Sequence, residues 1–568
     1  MAQQLYFSRD TRMFIQFRDP ADNTEAAAKL GAGALWEVPV LDGYSFSQTT
    51  NTSEITLAEM ESTAGISRRG RRMFTDSLAP AEWSFSTYIR PFKSKAGSVT
   101  PAGSVAASDA AEVHAVEEAF FASMFGADTY TTGSGFTRAT NAAASGGGVS
   151  GGVITPGANS SIITIGESNR SALTSFTLYF MIDTATDNPL VYRMPEAIVN
   201  EVSVDFDVDG IATLNWTGFS KEIQDVSGGV VTGTSAPAYN ATTKDGSTVI
   251  LGDVFIDTDN AAGRQFNLIS TVPGSGNVSL TAAIDEAATS TKNFIRNRLT
   301  SVSVEAATAT DKVPTIFPGK QAAISAIDVS GGTDKVTTST AHGFATGDEV
   351  QISGITGSGG TTVDLNGTHF VNVTSTTQFK LYNTAANATT GSATGLTDLD
   401  ALSAGTLTNA VVCNGKYSLV LTGGSFNIAN NITYLVPEEL GAINKPLEHV
   451  TGTRTATGNA TCYLTLEDSD ITSGTSRQFF NDLVGTGAMS KVVNKFKVTM
   501  DIGGSTAATE GSNDPALKIE FPAAHITVPT HQIEDVISLE TAFEALPTDF
   551  GTANEITAIT YFPVGDYA

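Results

Sequence analysis

Residues 36–57 read WEVPVLDGYSFSQTTNTSEITL, and residues 82–89 read EWSFSTYI. Tyr44 and Phe46 in the first run, and Trp83, Phe85, Thr87 and Ile89 in the second, put aromatic and β-branched side chains at alternate positions. That is the period of a half-buried strand. Polar and turn-forming residues, Gly65, Gly70 and Pro80 among them, lie between the runs. The stretch 36–89 therefore predicts a long β-hairpin or arm. It has an echo: KYSLVLTGGSFNIANNITYL at 416–435, followed by TATGNATCYLTL at 455–466.

Working outward, the echo extends in order along the chain. FSRDTRMFIQFRD (7–19) parallels FIRNRLTSVSVEA (294–306), and DGYSFSQTTNTSEITL parallels GGSFNIANNITYL. WSFSTYI parallels ATCYLTL, and VEEAFFASMFG (116–126) parallels TSRQFFNDLVG (475–485). FTLYFMID (176–183) parallels KFKVTMDI (495–502), and LVYRMPEAIVNEVSVDFDVDG (190–210) parallels LKIEFPAAHITVPTHQIED (517–535). Matches in one shared order point to an internal duplication. The expected division is a first unit at 1–220, a connector with minor β structure at 221–293, and a second unit at 294–317 plus 411–568. An inserted small β module occupies 318–410, where the first unit has only a short connection.

The fold class follows. Gly and Pro clusters punctuate the chain, and short alternating runs dominate: an all-β protein with few helices. The strongest helical pattern is SDAAEVHAVEEAFFASMFGAD (108–128). Ser108 or Asp109 can cap it, Val113, Val116, Phe120 and Met124 share a face, and Gly126 follows.

Composition excludes several classes. With 32 Lys plus Arg against 59 Asp plus Glu, the chain carries a net charge of −27, the reverse of a generic nucleic-acid binder. Solubility or a saline habitat explains the same charge. Two cysteines, Cys413 and Cys462, make no disulfide scaffold; buried free thiols are expected, and a single bridge stays open. MAQQLYFSRD lacks the apolar core of a signal peptide, and no apolar run is long enough to span a bilayer, so cytoplasmic synthesis without membrane insertion is expected. None of His114, His342, His369, His449, His525 and His531 sits in a metal-ligand spacing, and no nucleophile elbow or phosphate loop occurs. An enzyme, a metal site and a cofactor are not expected. His525 and His531 could share a site, but plain strand or loop histidines are the expectation.

Two clusters remain. DFDVDG (205–210) resembles the start of a calcium loop, but the twelfth position, which needs a bidentate Glu, is Trp216. It reads instead as a strand with Val202, Val204, Phe206 and Val208 on one face and Ser203, Asp205, Asp207 and Asp209 on the other. Arg68, Arg69, Arg71 and Arg72 flank Gly70; in so acidic a chain they suit an acidic patch on a neighbouring copy, the alternative being a solvated loop.

The N-terminal strand, the aromatic hairpin, the helix around 113–125 and AIVNEVSVDFDVDGIATLNWTGF (197–219) together resemble bacteriophage tail tube proteins. The resemblance covers residues 1–220 well and 294–315 plus 411–568 faintly. It implies β-sandwich domains, each with a flanking helix and a long hairpin, whose inner strands join into a barrel when six domains form a ring. Rings then stack into a tube. Two domains per chain imply a three-copy, pseudo-hexameric ring. The resemblance also implies a virion tail location after assembly in the host cytoplasm, and self-contacts within and between rings. Terminator, tail-tip or baseplate and tape-measure proteins are implied partners, with DNA in transient passage. Asp205, Asp207 and Asp209 are the candidate acidic lumen face; Arg68, Arg69, Arg71 and Arg72 are the candidate inter-subunit contact. TAHGFATGDEVQISG (340–354), DLNGTHFVNV (364–373) and TTQFKLYN (376–383) resemble a small β module similar to the first catalytic cysteine half-domain of ubiquitin-activating enzymes, without its chemistry. The competing class is a secreted or virion-surface adhesin that binds host glycans, which would favour aromatic platforms in loops; the aromatics here alternate within strands.

Overall fold

The computed structural model describes residues 6–17, 35–55, 72–89, 92–94, 112–114, 117–125, 130–131, 135–136, 149–150, 153–156, 161–164, 173, 175–183, 189–259, 264–285, 297–306, 321–328, 333–356, 365–399, 405–435, 446–465, 475–484, 496–503, 517–533, 535–548, 554–556 and 558–561. The protein is all-β, with short helices at Glu118–Met124, Ala385–Thr390 and Ser476–Val484 among those residues.

In the first half, Leu35–Val38, Thr11–Phe17, Phe176–Ile182 and the start of Leu190–Asp207 form one antiparallel sheet. Ser45–Ile55, Arg72–Tyr88, Thr213–Ser220 and the later part of Leu190–Asp207 form a second. The 18-residue strand Leu190–Asp207 serves both sheets. It changes sheet at Pro195-Glu196, where Glu196 takes φ 53, and a further register shift follows between Val199 and Glu201. Proline withholds a ladder donor, so a strand bend is a place where it is tolerated.

The core lies between the sheets. Met13, Ile15, Leu178, Phe180, Val202, Val204, Leu214 and Trp216 are buried there, at the positions alternation predicts. Each such Leu, Phe or Met stabilises the fold by ~1.5–3 kcal/mol. The helix Glu118–Met124 plugs one end, with Phe120 and Phe121 against Trp216 at 5.2 and 4.9 Å. The buried indole N–H of Trp216 donates to Thr87 Oγ1 at 3.0 Å, so its polar end is satisfied.

The second half pairs in the same order. Lys416–Leu419, Ser301–Ala306, Phe496–Ile502 and Leu517–Ile526 make the outer sheet. Leu421–Ala429, Thr455–Tyr463, Ser538–Ala545 and residues 524–532 make the inner one. Phe479 of the helix Ser476–Val484 packs on Tyr417 and Phe496 at 5.1 and 6.3 Å, as Phe120 packs on Phe176 at 5.8 Å in the first half.

Trp83 and Gly218 face each other across the first inner sheet; the matching pair in the second is Gly458 and Phe543. A Cβ on Gly218 would stand 2.2 Å from Trp83 Cζ2, and one on Gly458 would stand 2.5 Å from Phe543 Cε1. Each half places one large ring over one glycine, with the two strands exchanging roles.

Several expectations are corrected. Trp36 is not in the hairpin: Leu35–Val38 pairs with Thr11–Phe17, and the chain crosses to the inner sheet through a turn at Asp42-Gly43, where Gly43 has φ 99. Pro80 lies inside the strand Arg72–Tyr88, near a register shift, rather than in a turn. The helix begins at Glu118, not near residue 108. Glu112–His114 instead pairs with Phe92–Ser94, long-range pairing overriding a weak local propensity. Ser108, Asp109 and Gly126 are outside the described residues. The strand after residue 190 ends at Asp207, leaving Val208 43% exposed in a turn.

Residues 221–293 hold more than minor structure. Val231–Gly233, Val254–Asp257, Gln265–Thr271 and Ser279–Ala282 form a four-stranded sheet. It covers the outer sheet of the first half, with Phe266 stacked on Phe14 at 4.1 Å. Arg12 ties the two together: it bonds Glu37 at 2.7 and 2.6 Å and Arg264 O at 2.5 Å. The outer sheet of the second half carries Glu305, Lys416, Lys497 and Glu520 instead, and a closed six-stranded barrel leaves it there. The barrel runs from Gln321–Ile327 to Val411–Cys413, so Cys413 belongs to it, and its interior is filled by Val336, Val371, Phe379 and Leu381. Only Asn414 and Gly415 separate its last strand from Lys416–Leu419, and Asn414 Oδ1 accepts the Lys416 N–H at 3.1 Å.

Candidate assembly interface and acidic face

The inner sheets of the two halves are one sheet. Glu201–Asp207 pairs antiparallel with Gly423–Ala429, placing Val202 opposite Ile428, Val204 opposite Phe426 and Asp205 opposite Ser425. The seam is sealed by side chains: Phe206 lies 6.2 Å from Phe426, Asn430 Nδ2 donates to Met124 O at 3.0 Å, and Asn200 Oδ1 accepts the Ile432 N–H at 2.8 Å. Tyr434, on the second hairpin, donates to Glu196 O at 3.0 Å and packs on Phe219. At the end of the seam Arg298 meets Asp209 at 2.6 Å. Both side chains are mostly exposed, so the pair aligns the halves more than it stabilises them.

The continuous sheet has two unlike faces. One is the core. The other shows Ser45, Ser47, Glu82, Ser84, Asn215, Thr217, Glu201, Ser203 and Asp205 in the first half. In the second half it shows Ser425, Asn427, Thr457, Asn459, Glu540 and Glu544. Among the described residues of these strands, from 45–53 and 81–88 onward, this face carries no Lys or Arg. It combines carboxylates with short hydroxyls and amides, a surface that repels phosphate.

Of the residues singled out in the sequence, Asp205 is exposed on this face, and the backbone of Asp207 pairs with Gly423 two positions further along the strand. Asp209 lies past the strand end, in the turn, bonded to Arg298. Arg68, Arg69 and Arg71 lie outside the described residues, and Arg72 starts a strand at the outer end of the hairpin. Sequence reasoning missed Glu82, Glu201, Glu540 and Glu544. The alternation in EWSFSTY and SLETAFEA could have found Glu82, Glu540 and Glu544, each of which sits between buried positions, whereas Glu201 follows half-buried Asn200. His525 stands on this face opposite Glu544, while His531 packs its ring on Phe480 at 4.3 Å, so the two share no site. Among the described residues no group of three or more His, Cys, Asp or Glu could hold a metal ion. Cys413 and Cys462 are free and buried; burial pushes their thiols up to about 11 and about 12.

Among the described residues, the inner sheet shared by the two halves has two open edges. Among the described residues, Ser45–Ile55 pairs only with Arg72–Tyr88, and residues 527–532 pair only with 538–542. Near the second edge Val528 is 59% and Ile533 83% exposed. These edges occupy the places that Leu421–Ala429 and Glu201–Asp207 hold in their own halves, where those strands meet each other.

No family model matches the chain. One curated protein is similar: the tail tube protein pb6 of Escherichia phage T5, 34% identical over 142 residues. The match covers 25% of this chain and 28% of that protein's length. Over that stretch the chain is a partial homologue of a phage tail tube protein.

Proposed function

We propose that the chain is a structural subunit of a phage tail tube: two duplicated β-sandwich units in one polypeptide, three copies closing a pseudo-hexameric ring, and rings stacking into a conduit with an acidic lining. The internal seam carries this reading. Pairing of Glu201–Asp207 with Gly423–Ala429 supports it as a pattern for contacts between copies, since among the described residues the corresponding edges, 527–532 and Ser45–Ile55, each pair on one side only. Such a head-to-tail contact generates a ring when its rotation closes, and closure removes the open edges. The polar, carboxylate-bearing face then lines the lumen, where Glu82, Asp205, Glu540 and Glu544 keep passing DNA weakly held. The barrel of residues 321–413 branches from the outer sheet, on the side away from that face, which suits the tube exterior. Arg72 starts a strand at the outer end of the hairpin, and the arginine cluster of the sequence, Arg68, Arg69, Arg71 and Arg72, suits a contact with an acidic patch of another copy.

The internal seam also supplies the register of the external one. Counting from the bends at Pro195 and Pro522, residues 201–207 correspond to 528–534; Phe426 corresponds to Phe46 through its partner strands. The pair Ser203–Asn427 thus becomes Thr530–Ser47 between copies. In an antiparallel ladder such a non-hydrogen-bonded pair has Cα atoms ~4.5 Å apart, inside the ~4.4–6.8 Å disulfide range. Chains carrying Ser47→Cys with Thr530→Cys should therefore oxidise to closed covalent rings. Chains carrying Ser45→Cys with Val528→Cys, four residues out of register, should not. Equal cross-linking of both variants, or none in the first, refutes the ring seam.

A further inference from the structure

We propose that Pro529 is a brake on self-association, a missing hydrogen bond placed at the external seam and absent from the internal one; the inference rests on the ring reading above. In the internal seam Asn430 N–H donates to Asn200 O at 2.8 Å. Backbone groups alternate along a strand, so Val202, Val204 and Phe206 also turn toward the second half. Each offers an N–H to the neighbouring strand. The position matching Val202, seven residues past the proline bend, is Pro529.

The geometry around Pro529 sets which way its nitrogen faces. Thr527 N–H donates to Ala542 O at 2.9 Å, so alternate residues of Ser538–Ala545 turn toward this strand. Glu540 and Ser538 share the parity of Ala542 and stand opposite Thr530 and Gln532, so those two residues turn inward, while Pro529 and His531, out of phase with them, face the open side. Pro529 itself is buried. Its ring fills the core position that Val202 fills in the first half, and what it withholds is the N–H. An incoming strand of a second copy, with Gln48 opposite Pro529, finds one donor fewer than Ile428 finds opposite Val202.

An exposed edge beside apolar Val528 and Ile533 is a template for uncontrolled pairing, and proline on an edge is one way to blunt it. Here the bond is lost only where copies meet. Each external seam is weakened alike, so open pairs of copies separate readily, and only a closed ring, whose last contact is intramolecular, holds.

Pro529→Val restores the donor and conserves the apolar fill; Pro529→Ala restores the donor with a smaller side chain. Sedimentation velocity across a dilution series reads the concentration at which half of the chain is assembled. Both variants should lower that midpoint, by ~2- to 12-fold per seam for one recovered hydrogen bond. A midpoint unchanged or raised in both variants overturns the brake. The Ser47→Cys/Thr530→Cys cross-link separates the two ideas. Rings that cross-link in register with no shift in midpoint remove the brake alone, whereas failure of the in-register cross-link removes the seam and the brake with it.

Discussion

The acidic face makes the most direct prediction about transport. Glu82, Asp205 and Glu540 are exposed and stand on three different strands; Asp205 lies opposite Ser425 on the internal seam and Glu540 opposite Thr530, so tube length is measured beside release. Glu201 is left alone because it accepts from Asn427 Nδ2 across the seam. Changing all three to Lys swings each chain by about six charges, and the proposed three-copy ring by about eighteen, so that the proposed lumen would bind phosphate. DNA held by three to six of those ammonium groups should lose affinity by ~10²- to 10³-fold between about 50 and 200 mM salt, because each neutralised phosphate releases counterions.

The assay is the rate of DNA release from triggered particles built with the variant subunit, with tube length measured by electron microscopy. Release should slow by at least ~10-fold at low salt and recover as salt rises, with tube length unchanged. The amide variant Glu82→Gln/Asp205→Asn/Glu540→Gln removes repulsion without adding attraction and should stay within ~2-fold of the parent. Asp259→Lys/Asp398→Lys, placed on the four-stranded sheet and the barrel, should change nothing. Release at the parental rate in low salt from tubes built with the triple-Lys subunit would refute the acidic-conduit argument.

Two predictions concern stability. Gly458→Ala forces a Cβ into Phe543 and should cost ~1–3 kcal/mol; Phe543→Ala should cost ~3–5 kcal/mol. Together they should fall short of the sum by ~0.5–3 kcal/mol in urea unfolding followed by circular dichroism, and strict additivity would show that the ring does not occupy the glycine's space. The second concerns Glu349, whose carboxyl is pushed up to about 7, first by burial and then by the neighbouring charge of Glu305. The folded form therefore holds its proton more tightly than the unfolded one. Its contribution is full below the ordinary glutamate range, near 4.5, and is lost as pH rises through about 7. Barrel unfolding, followed by hydrogen exchange in residues 367–382, should grow easier from about pH 5 to 8. Glu349→Gln should flatten that slope, and an equal slope in both proteins would contradict the assignment.

The sequence made the strands legible because alternation is local: Trp83, Phe85, Val202 and Val204 are buried where their spacing puts them. The Phe-Phe pairs at 120–121 and 479–480 located both helices, though not where the first begins. Which edge meets which was not legible. Pairing Glu201–Asp207 with Gly423–Ala429 depends on contacts more than 200 residues apart, and no local pattern encodes a partner. The likeness between TLNWTGFS and SLETAFEA was also hidden. Phe543 stands where Gly218 does, and its bulk is offset on the adjacent strand, where Gly458 replaces Trp83. Packing constrains the summed volume of facing positions, so residues can trade places across a sheet while each sequence position loses its resemblance. The acidic face was half legible for a different reason: three aspartates in six residues stand out, whereas Glu82 and Glu540 are solitary charges whose meaning comes from neighbouring strands.

In the proposed ring, two unequal units in one chain have a physical use. In a ring of identical units every seam has one sequence, and that sequence must both hold the ring shut and keep free subunits apart. Linking two units separates those tasks. The internal seam never has to open, and it carries a full donor set, the Phe206–Phe426 contact and the Arg298–Asp209 pair. In the proposed ring the external edge stays exposed until a second copy arrives, and there the matching positions are Pro529, His531 and Ile533. Selection can then weaken one seam without weakening the other. The difference between Val202 and Pro529 is the kind such a division of labour would leave.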